Sequence, residues 1–227
     1  MPTISATTKN AKDGVGISTK EITIIHIQTP SIQILIGGPY KINGEEHTYG
    51  HVALRVITPK DDYIYDFGRY NGETGPYGQG RLRVWRNFPK YIFSENATGR
   101  TTMNFIYRVA PAAADQVNSH FINLIGNRAV LKAYGDYMKE YRLAADYHAL
   151  TNNCATTSMT GARVAIKDLD YNVSRYNEGR GMSFAEKTAA KVAGWPSFIF
   201  MPADLQKMLE ENPNHKPDKI EKFGGAK

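Results

Sequence analysis

The sequence predicts an α+β fold with an antiparallel sheet, and three observations support this prediction. Runs of β-branched and aromatic residues fill the chain up to about residue 110. Two of these runs flank a short turn sequence, as in a hairpin. After Pro111 the apolar residues recur at helical spacing. Strands that come first and helices that follow indicate an antiparallel sheet packed on helices.

The 227 residues allow one large domain or two small ones. With 41% hydrophobic and 11% aromatic residues, the chain has the composition of a folded globular protein. We expect a single domain over residues 21–210, with an insertion around residues 71–100. Residues 1–20 are expected to be a flexible lead-in, and residues 211–227 a polar basic tail.

The strands are expected before residue 111. EITIIHIQ and SIQILIGG are β-branched runs separated by Pro30. GHVALRVI and YIYDFGRY flank the turn sequence TPKDD, a pattern that predicts a hairpin. The glycine-rich residues 71–80 predict a loop, residues 81–100 an edge strand or an insertion, and TTMNFIYRVA a further strand.

The helices are expected in the second part of the chain. Pro111 and Gly126 suit the start and the end of a helix, and the apolar residues between them have helical spacing. Residues 129–150 predict a second helical or mixed segment. Near the C-terminus we expect an extended piece and then a short helix that begins at Pro202.

The formal net charge of +6 favours anionic partners such as nucleic acid, anionic lipid or the cell wall. The basic residues are scattered, however, so they indicate a solvated surface and no specific nucleic-acid site. The N-terminus lacks the pattern of a signal peptide, and no apolar run approaches the ~20 residues that cross a bilayer. We therefore expect a soluble protein that is made in the cytoplasm and has no transmembrane segment.

Cys154 is the only cysteine of the chain, which excludes an intramolecular disulfide and a thiolate-rich metal site. It lies in the polar sequence TNNCATTSM, where a helix is expected to begin at or near it, with Asn152 or Asn153 as the cap. A helix N-terminus stabilises a thiolate, and its unpaired N–H groups can receive an oxyanion. Cys154 is therefore either a nucleophile or an ordinary buried residue.

A nucleophilic cysteine needs a base, and His51 is the best placed of the six histidines. It opens the strand HVALRV, and the second strand of the hairpin brings Asp66 back towards it. With a turn centred near residues 60 and 61, Asp66 lies opposite Ala53 or Leu54. In the first register the carboxylate shares a face with His51, as a base and its orienting residue would.

The remaining histidines fit other roles. They are His26 in an early strand, His120 and His148 in segments expected to be helical, His215 in the tail, and His47. His47 and His51 could suggest a metal pair, but Gly50 and the expected turn argue against a shared helical face, and no third ligand stands out. Neither a metal nor a cofactor is predicted.

GHVALRV, YDFG about fifteen residues later, and YHALTNNCATTSM far downstream resemble the circularly permuted papain-like hydrolases. This branch is related to NlpC cell-wall peptidases and to lecithin retinol acyltransferase, and its histidine strand precedes its cysteine helix. The resemblance covers roughly residues 48–68 and 147–165. It implies a permuted papain-like fold in which Cys154 is the nucleophile at a helix start, His51 the general base and Asp66 the third residue.

The family that the sequence resembles includes endopeptidases, amidases, acyltransferases and thioesterase-like enzymes. The fold alone does not determine which of these activities a member has. We expect a cysteine hydrolase that cleaves an amide bond of peptidoglycan or another anionic envelope substrate. The backbone at Cys154, aided by Asn153, is expected to stabilise the oxyanion. Such an enzyme looks like an antibacterial effector, delivered into the periplasm of a target cell by a specialised system such as type VI secretion. Its partners would be an immunity protein and a component of the secretion machine.

Two alternatives stay open. An acyltransferase or lipid esterase on the same fold would need an apolar channel near Cys154, which the segment SFIFMP could line. A non-catalytic binding module would instead have its cysteine buried, far from the ring of His51.

Overall fold

The computed structural model describes residues 28–42, 45–70, 72–97, 99–171 and 174–224. The strands of these residues are β1 (Ser31–Gly37), β2 (Tyr40–Ile42), β3 (Glu45–His47), β4 (His51–Ile57), β5 (Asp62–Gly68), β6 (Tyr77–Gly78), β7 (Arg81–Trp85), β8 (Thr102–Arg108), β9 (Val130–Tyr134), β10 (Met138–Arg142), β11 (Tyr147–His148) and β12 (Lys219–Phe223). The helices are α1 (Phe88–Asn96), α2 (Pro111–Ile125), α3 (Cys154–Ala165), α4 (Phe184–Gly194) and α5 (Pro202–Glu211). The predicted α+β class is confirmed.

Eight strands form one antiparallel sheet in the order β12-β8-β1-β4-β5-β7-β10-β9. The hairpin β4–β5 lies near its middle. Leu54 pairs with Tyr65, so Asp66 lies opposite Ala53, which is the first of the two expected registers. The hairpin and its register are therefore confirmed.

Helices cover both faces of this sheet. The helices α2, α3 and α5 pack on one face, where Val52 and Leu54 of β4 enter the larger hydrophobic core. The helix α1 packs on the other face, where Ala53 and Ile64 enter a smaller core. Because side chains alternate along a strand, a central strand buried on both faces is apolar at consecutive positions, as in HVALRVI.

The predicted helices at Pro111 and Pro202 begin at these residues, and α2 ends at Gly126 as expected. Two other expectations each offered two alternatives, and in each case the structure contradicts one of them, the edge strand and the helix. Residues 81–85 form β7 in the interior of the sheet, between β5 and β10, and not an edge strand. Residues 129–150 contain the hairpin β9–β10 and no helix, because Gly135 takes a φ of 53° in the turn and reverses the chain.

Two of the predicted segments lie wholly or almost wholly outside the described residues, and a third, the expected tail, contains a strand. The lead-in over residues 1–20 is outside them, and so is the strand over residues 21–28, apart from its last residue. Within the segment expected to be a polar tail, β12 pairs with β8 at the edge of the sheet. No helix among the described residues is both long and apolar enough to cross a membrane.

Candidate active site

Cys154 is the first residue of α3, and Asn153 is the cap of this helix. The Oδ1 atom of Asn153 accepts from the backbone N–H of Thr156 at 3.0 Å. In return, the Oγ1 atom of Thr156 accepts from the backbone N–H of Asn153 at 2.8 Å. This reciprocal capping box sets the start of the helix at Cys154, and of the two expected caps it selects Asn153.

The amide group of Asn153 is also hydrogen bonded within the protein. Its Nδ2 atom donates to the carbonyls of Ala149, at 2.5 Å, and Phe200, at 2.9 Å. Both side-chain donors of Asn153 are therefore used within the protein, and neither is left for the oxyanion that Asn153 was expected to help stabilise. The backbone N–H of Cys154, at the first position of α3, has no acceptor within the helix and is available to an oxyanion.

His51 and Asp66 are joined across the hairpin. The Nε2 atom of His51 is hydrogen bonded to Oδ1 of Asp66, and the two side chains are 17% and 4% exposed. Arg55 and Asp62 form a second diagonal pair with the same offset, in which Nε donates to Oδ1 at 2.8 Å. The register of this one hairpin therefore positions both pairs on the same face.

Cys154 and His51 meet although they are distant in the sequence. Ser158, four residues after Cys154, lies against the start of β4, with its Oγ 3.5 Å from the carbonyl of Val52. The charge of Cys154 raises the pKa of His51, so the sulfur lies close to the ring. Because Nε2 of the ring faces Asp66, the nitrogen that faces the sulfur is Nδ1. The three residues thus form a row of Cys154, His51 and Asp66.

The charges of this row stabilise one another. Burial lowers the pKa of His51, but the charges of Asp66 and Cys154 and the hydrogen bond with Asp66 outweigh it, so the pKa lies well above 6.5. Burial raises the pKa of Asp66, but the charge and hydrogen bond of His51, the hydrogen bond from Tyr70 and the charge of Arg83 lower it below 3.8. At neutral pH the pair is an imidazolium and a carboxylate.

Sequence reasoning missed a second layer of residues behind Asp66. The hydroxyl of Tyr70 donates to Oδ1 of Asp66 at 2.5 Å, and burial with the charge of Asp66 holds the pKa of Tyr70 well above 10. The guanidinium of Arg83 lies 3.5 Å from the centre of the Tyr70 ring. The Nε atom of Arg83 donates to the fully buried Glu140 at 2.8 Å. The sequence shows that Tyr70 follows Asp66 by four residues, but this spacing alone does not predict the hydrogen bond between them.

A cavity of about 480 Å³ opens beside Cys154. One of its sides is apolar and contains Ala189, Ala190 and Ala193 of α4 together with Phe200, Met201 and Pro202. The three alanines recur at helical spacing, so they share one face of α4. The SFIFMP segment therefore lines a cavity next to the cysteine, as the acyltransferase alternative expects.

Other residues that line the cavity are more polar and include Arg69, Tyr77, Tyr147 and His148. His148, expected in a helical segment, lies in β11 instead. Its Nδ1 atom accepts from the backbone N–H of Leu150 at 3.2 Å, so the ring organises the turn that leads to α3. Its position in the cavity wall could not be predicted from a helical assignment.

His120 lies apart from Cys154, His51 and Asp66. In α2, the ring of His120 packs against Phe121 with 5.2 Å between ring centres, and burial lowers its pKa. His26 lies outside the described residues. No group of three histidine, cysteine or acidic side chains in the described part of the chain could hold a metal ion.

No family model, curated protein or solved structure matches the chain. The interpretation of the site therefore depends on its own geometry and on the chemistry of its residues.

Proposed function

We propose that the chain is a cysteine hydrolase that cleaves an amide bond through an acyl-enzyme. The observation that carries this proposal is the hydrogen-bonded pair of His51 and Asp66 close to Cys154, with the sulfur at a capped helix start beside a cavity. A nucleophile, a base and a group that orients the base are the parts that acyl transfer requires.

In the first half of the reaction, the thiolate of Cys154 attacks the carbonyl carbon, and an electron pair moves to the carbonyl oxygen. The backbone N–H of Cys154 and the positive end of α3 stabilise this oxyanion. As the carbon–nitrogen bond breaks, the imidazolium of His51 gives a proton to the leaving amine. A thioester and a free amine result.

In the second half, His51 takes a proton from water, and the resulting hydroxide attacks the thioester. The carbon–sulfur bond breaks, the acid is released, and the sulfur and imidazole return to their starting states. Asp66 holds the ring and stabilises its positive charge in both halves. Tyr70 positions Asp66 through its hydroxyl hydrogen bond.

The substrate that we propose is the peptide part of peptidoglycan, which would make the chain an endopeptidase or amidase and an antibacterial effector with a cognate immunity protein. The resemblance of the His51 and Cys154 motifs to cell-wall hydrolases supports this substrate, as does the net charge of +6 near an anionic envelope. Delivery into the periplasm by a specialised secretion system is part of the same proposal.

Incubation with purified peptidoglycan tests the proposal, with muropeptides separated by chromatography and identified by mass. We expect new fragments with the wild type and none with Cys154→Ala. Ser158→Ala is the matched control, because it removes one side-chain heteroatom from the same helix but leaves the thiol. Fragment release by Cys154→Ala, or no release by the wild type, would contradict the proposal.

A second candidate is acyl transfer or ester hydrolysis on a lipid. The observation that favours it is the apolar side of the cavity, which Phe200, Met201 and the α4 alanines form next to Cys154. Phospholipid vesicles distinguish the two candidates. Fatty acid released by the wild type but not by Cys154→Ala, without any change in peptidoglycan, would favour the lipid substrate.

A further inference from the structure

Arg69 is a cation of the cavity wall that has no part in the mechanism above. It directly follows β5, the strand that carries Asp66, and it lines the same cavity as Cys154. Its Nη1 atom is buried and has no hydrogen-bond partner among the described residues. A buried donor without a partner is unfavourable, so an acceptor supplied by a ligand would stabilise this site.

The aromatic ring of Tyr147 is a neighbour of both Arg69 and Cys154. The guanidinium carbon of Arg69 lies 5.4 Å from the centre of this ring. Burial and the charge of Cys154 raise the pKa of Tyr147, whereas the charge of Arg69 lowers it, so both groups are close to the phenol. Because Arg69, Tyr147 and Cys154 line one cavity, a group bound to Arg69 would share this cavity with a carbonyl carbon that is positioned for attack by Cys154.

Gly78 leaves room for Arg69. It pairs with Tyr147 in the short sheet of β6 and β11. A Cβ atom at Gly78 would lie 3.2 Å from Cβ of Arg69, closer than a side chain tolerates without adjustment. The arginine stem thus passes close to Gly78, and its guanidinium lies near the ring of Tyr147.

Nearby carboxylates do not neutralise Arg69. Glu186, which also lines the cavity, accepts from Tyr49 and, at 2.7 Å, from both the backbone N–H and the hydroxyl of Ser183. Glu73 accepts from the backbone N–H of Gln79 at 2.8 Å. Neither carboxylate forms an ion pair with Arg69, so the positive charge remains available to an anion.

We propose that Arg69 binds a carboxylate of the acyl donor, close to the scissile carbonyl, and so selects anionic substrates. The planar guanidinium matches a carboxylate in two parallel hydrogen bonds. The α4 alanines and Phe200, on the apolar side, would accommodate the uncharged remainder of the substrate. This inference rests on the proposed function and names the substrate class of its site.

Alkylation of Cys154 by iodoacetate and by iodoacetamide tests the inference. The two reagents react at the same kind of carbon atom, but iodoacetate carries a carboxylate where iodoacetamide carries a neutral amide. In both reactions a sulfur–carbon bond forms, the carbon–iodine bond breaks and iodide leaves. Because Cys154 is the only cysteine, the mass of the intact protein measures each rate.

We expect Arg69→Gln to lower the ratio of the iodoacetate rate to the iodoacetamide rate by about tenfold, as for one hydrogen bond to a charged group. The iodoacetamide rate should not change, which shows that the variant folds and that its thiol is intact. Arg69→Lys should retain part of the preference for iodoacetate, since it keeps the charge but loses the planar fork.

Arg128→Gln is the control, because it removes the same charge at the end of α2, where Arg128 donates to the carbonyl of Ile125 at 2.8 Å. It should keep the wild-type ratio. An unchanged ratio in Arg69→Gln, or an equal loss of both rates, would overturn the inference. Alkylation needs no turnover, so a selective thiol that releases no product from peptidoglycan would contradict only the proposed function.

Discussion

The reacting residues and the α4 wall of the cavity are anchored very differently. Asp66 lies on the central strand β5, behind which Tyr70, Arg83 and the buried Glu140 form a chain of contacts. In the α4 wall, Ala190 is the only buried residue of the helix. The reacting groups therefore lie on well-packed elements, whereas α4, which lines the cavity, is packed loosely against the rest of the protein.

Exposure shows the same difference. Phe184 and Val192 of α4 are 86% and 87% exposed, whereas Ala53 and Ile64 of the central hairpin are fully buried. The helix is held by its capping box at Ser183 and by the hydrogen bond from Tyr49 to Glu186. Substitutions on the sheet side should thus alter chemistry or global stability, and those on the α4 side should alter local opening.

The largest effect is expected from Asp66→Asn. An amide does not stabilise the imidazolium of His51, so we expect the rate of peptidoglycan cleavage to fall by roughly 10³-fold or more. Initial rates of muropeptide release measure it. Asp62→Asn is the matched control on the same hairpin face, where it loses only its pair with Arg55. Equal rates in the wild type and Asp66→Asn would show that another residue orients the base.

Gly161→Ala tests the packing of α3 on the sheet. A Cβ atom at Gly161 would lie 2.5 Å from Cε2 of Phe121 and 2.9 Å from Cδ2 of Leu54. We expect a loss of about 1–3 kcal/mol in the free energy of unfolding, measured with urea. Gly38→Ala, whose Cβ would lie 3.6 Å from the nearest atom, should change little. Similar losses in the two variants would show that the close packing at Gly161 is not decisive.

The coupling of His51 with Asp66 predicts a pH-dependent stability. The pKa of His51 is raised above 6.5 and that of Asp66 is lowered below 3.8. The histidine contribution is complete below pH 6.5 and is lost as the pH rises towards its folded-state pKa, while the aspartate contribution is lost only as the pH falls below 3.8. The stability advantage of the wild type over Asp66→Asn should therefore be largest near pH 5 and shrink above pH 6.5.

Urea unfolding at several pH values between 5 and 9 measures this advantage. Asp62→Asn provides the comparison, because its arginine partner does not titrate in this range. An advantage over Asp66→Asn that stays constant, or grows, as the pH rises would contradict the charged state assigned to His51.

Tyr49→Phe should have the smallest effect on overall stability. It removes the hydrogen bond from Tyr49 to Glu186. In the wild type, this hydrogen bond helps to raise the pKa of Tyr49 to about 12 and lowers the pKa of Glu186. We expect a loss of at most about 1 kcal/mol. Hydrogen exchange should become faster in α4 and stay unchanged in β4 and β5. Equal acceleration in all three elements would remove the distinction between the reacting residues and the α4 wall of the cavity.

Local features of the site could be predicted from the sequence because short-range rules govern them. The turn TPKDD restricts the register of β4 and β5, and the register decides whether Asp66 shares a face with His51. Asn153 can satisfy N–H groups at the start of α3, which explains why the helix begins at Cys154. The helical alternative failed over residues 129–150, where apolar residues fit either period and the chain turns at Gly135.

By itself, the sequence determined the hairpin, the helix start and the candidates Cys154, His51 and Asp66. Only the tertiary structure decided that α3 packs against the start of β4, that Tyr70 supports Asp66, and that Arg69 enters the cavity. The physical reason is that these contacts join segments far apart in the chain or depend on the path of a loop. They form through packing of the whole sheet and its helices, which no local pattern of residues specifies.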